Sequence, residues 1–178
     1  MQKLGNLALG VSLALAMTAC VTTTASTPAG TYFVREGMVN SINPPITAIW
    51  DTQVEVMDDY GNFDPALMDA GTWAALKGHA ARLQIEADRM AHAERFVAAD
   101  PDGELTEAPE GTDLVAIQGR LDANAQAYRA MAIAFRNHAD QLLTATQEED
   151  AQALTTLVND MQPVCKACHD VFWYPEEY

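Results

Sequence analysis

From Tyr32 onward the apolar residues recur three and four positions apart, the period of a helix with one buried face. The first such segment spans roughly 32–58 and is interrupted by Asn43-Pro44-Pro45. Two prolines cannot donate backbone hydrogen bonds, so the helix is expected to kink or restart there, with Asn43 as cap and Pro44 at the first helical position. Beyond it Ile46, Ile49, Trp50 and Met57 offer an apolar face. Asp58 to Asp64, with Gly61 and Asn62, reads as a loop. A second helix is predicted over about 73–98, where Trp73, Leu76, Ala80, Leu83, Ala87 and Met90 form a narrow seam. The acidic stretch 99–111 reads as a solvated turn. From Asp100, Gly103 falls at position four, whereas a calcium loop of the EF-hand type needs glycine at position six.

A third helix is predicted from about 113 to 145, with Thr112 as N-cap and one face built from Leu114, Ile117, Leu121, Ala125, Tyr128, Met131, Phe135 and Leu142. The fourth is predicted to open at Thr146 with Glu149 three residues on, a capping-box signature. Its seam runs Leu154, Val158, Met161, Cys165, Cys168, Phe172, and Pro163 is expected to kink it. No segment shows strand periodicity. Four amphipathic helices with short links imply an all-α fold, an antiparallel four-helix bundle, over 32–178.

The N-terminal residues stand apart from this pattern. Residues 1–19 look like a secretory signal: Lys3 gives a positive start, and Leu7 to Met17 is an apolar run too short to span a bilayer. Met17-Thr18-Ala19-Cys20 resembles a bacterial lipobox, with cleavage before Cys20 and acyl chains on it; an ordinary signal peptide cut nearby is the alternative. Residues 20–31 then form the lipidated cysteine and a flexible tether. Either way the mature protein is exported to the periplasmic side of a bacterial envelope.

Charge and composition narrow the function classes. The 178 residues carry a net charge of −15, and cleavage before Cys20 removes only Lys3, which makes it −16. That balance argues against nucleic acid and against an electrostatic hold on anionic lipid; it either fits partner proteins with a basic docking surface or simply keeps an envelope protein soluble. No acid/base constellation, nucleophile elbow or nucleotide loop points to an enzyme.

Cys165-Lys166-Ala167-Cys168-His169 reads C-x-x-C-H, the covalent haem-attachment motif. Each thiol can add to a porphyrin vinyl group, and the adjacent imidazole can reach the iron. On a helix Cys165 and Cys168 share a face. A zinc site would want a second ligand pair, and a thioredoxin-like C-x-x-C a βαβ context. Two buried core cysteines are the remaining alternative. The motif implies one haem c.

A four-helix chain with Cys165-Lys166-Ala167-Cys168-His169-Asp170 on its last helix resembles the cytochrome c-prime family over roughly residues 32–173. The order Met38, Pro44, Trp50, then Trp73-Ala74-Ala75-Leu76, is similar to a proteobacterial branch of small haem proteins. The resemblance implies that His169 is the proximal axial ligand. It also implies one of two arrangements opposite: an iron left five-coordinate in an apolar pocket that admits NO or CO, or an iron bound by a methionine of the first helix. Met38, three residues after Arg35, is the candidate sixth ligand, and a gap-filling core methionine is the competing role. Arg35 is either a propionate contact or a surface arginine.

The other histidines weigh less. His79 beside the second seam offers bis-histidine ligation as a weaker option, His92 reads as surface, and His138 as a partly buried structural residue. Where the family often has a basic residue four positions after the proximal histidine, this chain has Trp173. The run Phe172-Trp173-Tyr174-Pro175 either covers the haem edge or packs the helix end. The resemblance also allows a homodimer. Three functions remain: a monohaem electron carrier with His169 and Met38 on the iron, a five-coordinate binder of NO or CO, or a haem-free envelope lipoprotein.

Overall fold

A computed structural model describes residues 30–173. The signal peptide, Cys20 and most of the tether lie outside the described residues, as do Tyr174 and Pro175.

The element order is β1 (Thr31–Phe33), α1 (Val34–Glu36), a π-helical turn (Gly37–Ile42), α2 (Asn43–Glu55), α3 (Ala70–His92), β2 (Arg95–Val97), α4 (Leu114–Ala123), α5 (Ala125–Glu148) and α6 (Ala151–Phe172). α1, the π turn and α2 follow one another without a gap and make the first rod of a four-helix bundle. The rod packs on α3, α3 on α5, and α5 on α6. The core follows the predicted seams. Leu76, Ala80, Leu83 and Ala87 are fully buried on α3, as are Leu142 on α5 and Leu154 on α6. Among the described residues no helix is long and apolar enough to cross a membrane.

Several boundaries differ from the sequence expectation, each for a local reason. The prolines do not break the first rod. The backbone N–H of Asn43 bonds to the carbonyl of Met38, five residues back, and this wider turn accommodates Pro44 and Pro45 at the start of α2. Asn43 makes no side-chain cap. Trp50 and Met57 face outward, at 39% and 45% exposure, and Ile42 and Val56 join Ile46 and Ile49 in the core instead.

α3 starts at Ala70, where Asp69 accepts hydrogen bonds from the Thr72 backbone N–H and hydroxyl, and it ends at His92. The residues beyond pair in parallel as β2 with β1, in the register Tyr32 to Phe96. Strands of three residues are too short to show alternation, which hid them from the sequence pattern.

The predicted third helix is two. Asn124 (φ −132°, ψ 34°) separates α4 from α5, and Ala125 is consequently exposed. Asp113, not Thr112, caps α4, accepting from Val115 and Ala116 N–H. The capping box at Thr146 does not form. Thr146 is buried inside α5 with its hydroxyl on Leu143 O. Glu149 takes the left-handed conformation (φ 56°), and Asp150 caps α6 by accepting from Ala153 N–H. The turn at Asp58–Asp64 forms as expected, with Asp58 Oδ1 accepting from the Tyr60 and Asn62 N–H groups.

Candidate functional site

α6 runs unbroken through Pro163 and places Val164, Cys165, Cys168 and His169 toward the first rod. Its far end is held from two sides. Arg120 of α4 donates Nε–H to Phe172 O at 2.9 Å, satisfying a last-turn carbonyl with a cation. Phe172 meets the ring of Tyr128 edge-on at 5.1 Å, and Tyr128 packs on Phe96 at 4.5 Å. The Tyr128 hydroxyl is in turn anchored on Met90 Sδ at 3.5 Å. The three sequence-predicted site residues of α6 therefore sit on a rigid helix with a fixed end.

Across from them lies a cleft. Its larger part, about 640 Å³ with its open mouth, is lined on the rod by Val34, Arg35, Met38, Val39 and Asn43, and on α6 by Cys168, His169, Phe172 and Trp173. Tyr128 and Pro109 complete it. The inner part, about 380 Å³, is lined by Met38, Ile42, Met90, Met131, Phe135, Cys165, Cys168 and His169 among others. Met38, Cys168 and His169 line both. The walls are mostly apolar with a few convergent polar groups, the character of a cofactor site.

The electrostatics argue against a redox-active dithiol. Cys165 and Cys168 are not disulfide-bonded. Burial pushes the Cys165 thiol up, and burial together with Cys165 pushes Cys168 to about 12. Reactive cysteines need the opposite shift. Burial likewise lowers the pKa of His169, with Asp170 opposing it, so the imidazole is neutral, the form that ligates a metal. Among the described residues no group of three or more His, Cys, Asp or Glu side chains could hold a bare metal ion.

Two thiols on one helix face, a neutral imidazole beside them, an apolar cleft and one cation at its mouth fit a covalently attached haem. Cys165 and Cys168 would hold the porphyrin and His169 the iron, and among the described residues that line the cleft Arg35 is the one arginine or lysine that would meet a propionate.

The remaining sequence candidates separate. His79 lies in a different groove, with Arg82 and Pro44, and its Nδ1 accepts from the Arg82 guanidinium at 2.7 Å. His92 is exposed and 3.2 Å from Asp88. His138 is buried and donates Nε2–H to Leu157 O at 2.9 Å, as a structural histidine would. Neither His79 nor His138 lines the cleft. Arg35 is half-buried and does more than the sequence reading allowed. Its guanidinium donates to Leu105 O at 2.7 Å and to Glu107 O, which brings Pro109 of the acidic stretch to the cleft. Sequence reading did not assign Tyr128 or Pro109 to the site. Tyr128 was visible only as one more apolar-face residue, and Pro109 carried no signal at all.

A family model described as Cytochrome C' matches residues 56–173. No curated protein and no solved structure matches the chain.

Proposed function

The chain belongs to the cytochrome c-prime family, and on that premise we propose that it is a periplasm-facing electron carrier whose single haem is held by Cys165 and Cys168, with His169 and Met38 as axial ligands. Members of this family are non-enzymatic periplasmic haem proteins with one covalent haem c, which sets aside the haem-free reading. The bound haem supplies one-electron exchange at its iron. The chain's own residues do the rest. Apolar walls limit water, His169 presents a neutral imidazole, and a Met38 thioether would favour the reduced state, since soft sulfur raises the potential.

The observation that carries the reading is that Met38 shares both parts of the cleft with Cys168 and His169. The test is an optical spectrum of the purified holoprotein in both oxidation states. A low-spin wild type that turns high-spin in Met38→Ala is the expected result, and an unchanged spectrum in the variant rules the ligand out.

A partner with a basic face is part of the proposal. Asp100, Asp102, Glu104, Glu107, Glu110 and Asp113 crowd the stretch that reaches the cleft at Pro109, and complementary charge speeds encounter. Lipidation at Cys20 would hold the protein at the membrane surface. A second reading, five-coordinate gas binding, is favoured by the family's usual coordination and by one finding: Met38 lies outside the residues that match the family model. A high-spin wild type that binds CO at low concentration is its signature.

A further inference from the structure

The buried edge of the first rod contains a contact that only glycine permits. Tyr32 is fixed by its pairing with Phe96 in the parallel strands. It is 1% exposed, and its ring lies under the Arg89 guanidinium, 5.7 Å from the centroid. Five residues on, a Cβ on Gly37 would meet the Tyr32 hydroxyl first, with Cζ at 2.5 Å and Cε1 at 3.0 Å. The Tyr32 ring edge thus occupies the space of a side chain at position 37. Tyr32 has little room to retreat: its side chain is buried, Arg89 covers its ring, and a parallel ladder holds its backbone.

Gly37 opens the π turn, and Met38 is the next residue. The rod's inward positions run Val34, Met38, Ile42, Ile46, three successive steps of four. In an α-helix each such step overshoots a full turn by about 40°, so the row would drift by about 120° across the three steps. A wide turn takes up that drift. Where the turn starts therefore decides which way residue 38 points.

We propose that Tyr32 and Gly37 are positioning residues for Met38: the ring edge of Tyr32, seated on the bare Cα of Gly37, sets the phase of the π turn and aims the thioether into the cleft toward His169. This rests on the reading of Met38 as the sixth ligand. It goes beyond that reading by placing the determinant of ligation in a residue pair that does not touch the haem cleft.

The experiment uses holoprotein with haem content checked by pyridine haemochrome and folding by circular dichroism. It follows the red charge-transfer band of ferric haem bound by methionine sulfur, and CO affinity. In Gly37→Ala the band fades, and CO binds about tenfold tighter or more as the methionine-bound state loses population. Gly37→Ala/Tyr32→Leu, which clears the space, recovers the band. Tyr32→Phe keeps the ring edge and keeps the band. If Gly37→Ala does not fold, Tyr32→Leu alone serves: it leaves the turn unsupported and weakens the band. A folded Gly37→Ala, or in its place a folded Tyr32→Leu, with the full wild-type band overturns the inference. A wild type that lacks the band overturns the Met38 reading and this inference with it. That failure is seen before any variant is made, so the two are distinguishable.

Discussion

The two walls of the cleft are built in opposite ways. The proximal wall is one regular helix, α6, whose functional residues sit within five positions and whose end is clamped by Arg120 and Tyr128. The distal wall is a rod in which three residues of α-helix give way to a π turn and then to α2. Its one candidate ligand to the iron among the described residues is a single methionine, Met38. The proximal wall lies inside the stretch that matches the family model, and the turn bearing Met38 lies outside it. The difference teaches that attaching a haem and deciding what it does are separate problems. Attachment needs local spacing, which a helix supplies anywhere. Coordination of the second face needs a side chain aimed across a cleft, which depends on the tertiary phase of a backbone turn.

The largest break in the comparison comes from the proximal wall. Replacing both Cys165 and Cys168 with alanine should abolish covalent haem entirely, giving no c-type pyridine haemochrome and no haem stain on a denaturing gel. α6 should still form, because its cap on Asp150 and its buried Leu154, Val158 and Met161 are untouched. Covalent haem persisting in the double variant would contradict the assignment.

That asymmetry also explains what could be read from the sequence. The seams of α3 and α6 were legible because every position follows one α-helical phase and the residues are apolar: Trp73, Leu76, Leu83 and Met90 are all buried as the period requires. The haem motif was legible because its signal is the spacing of five contiguous residues, Cys165 to His169. The first rod was legible only in part: Ile46 and Ile49 are buried as the period requires, but Trp50 falls at the edge of that stripe and faces out, and Met57 lies past the end of α2 at Glu55, where no helical period applies. The capping signal at Thr146 failed because Asp150 is a competing cap four residues later, and continuing α5 buries the Thr146 methyl. Gly37 was the overlooked clue. A glycine inside a helical stretch costs about 1 kcal/mol relative to alanine and so asks for a packing reason. That reason is a ring distant from any pattern the sequence displays.

A smaller effect should come from the distal wall's link to the acidic stretch. Arg35→Ala removes the hydrogen bonds to the carbonyls of Leu105 and Glu107. These bonds are partly exposed, so the global loss should be about 1 kcal/mol or less. The local effect should be larger. Residues 100–111 should become the first site of proteolytic nicking, because little else ties that backbone down. Limited proteolysis followed by mass spectrometry reads this directly. Unchanged cleavage in the variant would show that the stretch is held by other contacts.

The smallest predicted effect sharpens the comparison by pH. His138 joins α5 to α6 through Leu157 O and therefore belongs to the proximal wall. Its pKa is lowered chiefly by burial, against the opposing pull of the Leu157 carbonyl and Asp160. A histidine whose folded pKa is depressed is neutral in the native state, while the unfolded chain binds the proton more readily. Its contribution is therefore fully present above the unfolded value of 6.5. It is lost as pH falls below that value toward the folded pKa. The thermal midpoint should hold steady above pH 6.5 and decline below it, and His138→Gln should flatten that part of the decline. In holoprotein the same titration should leave the spectral signature of the distal ligand unmoved, since His138 does not line the cleft. A distal signature that shifts together with the stability curve would mean that the two walls are coupled through α5, and that the second face of the haem is set by the whole bundle rather than by the turn at Gly37.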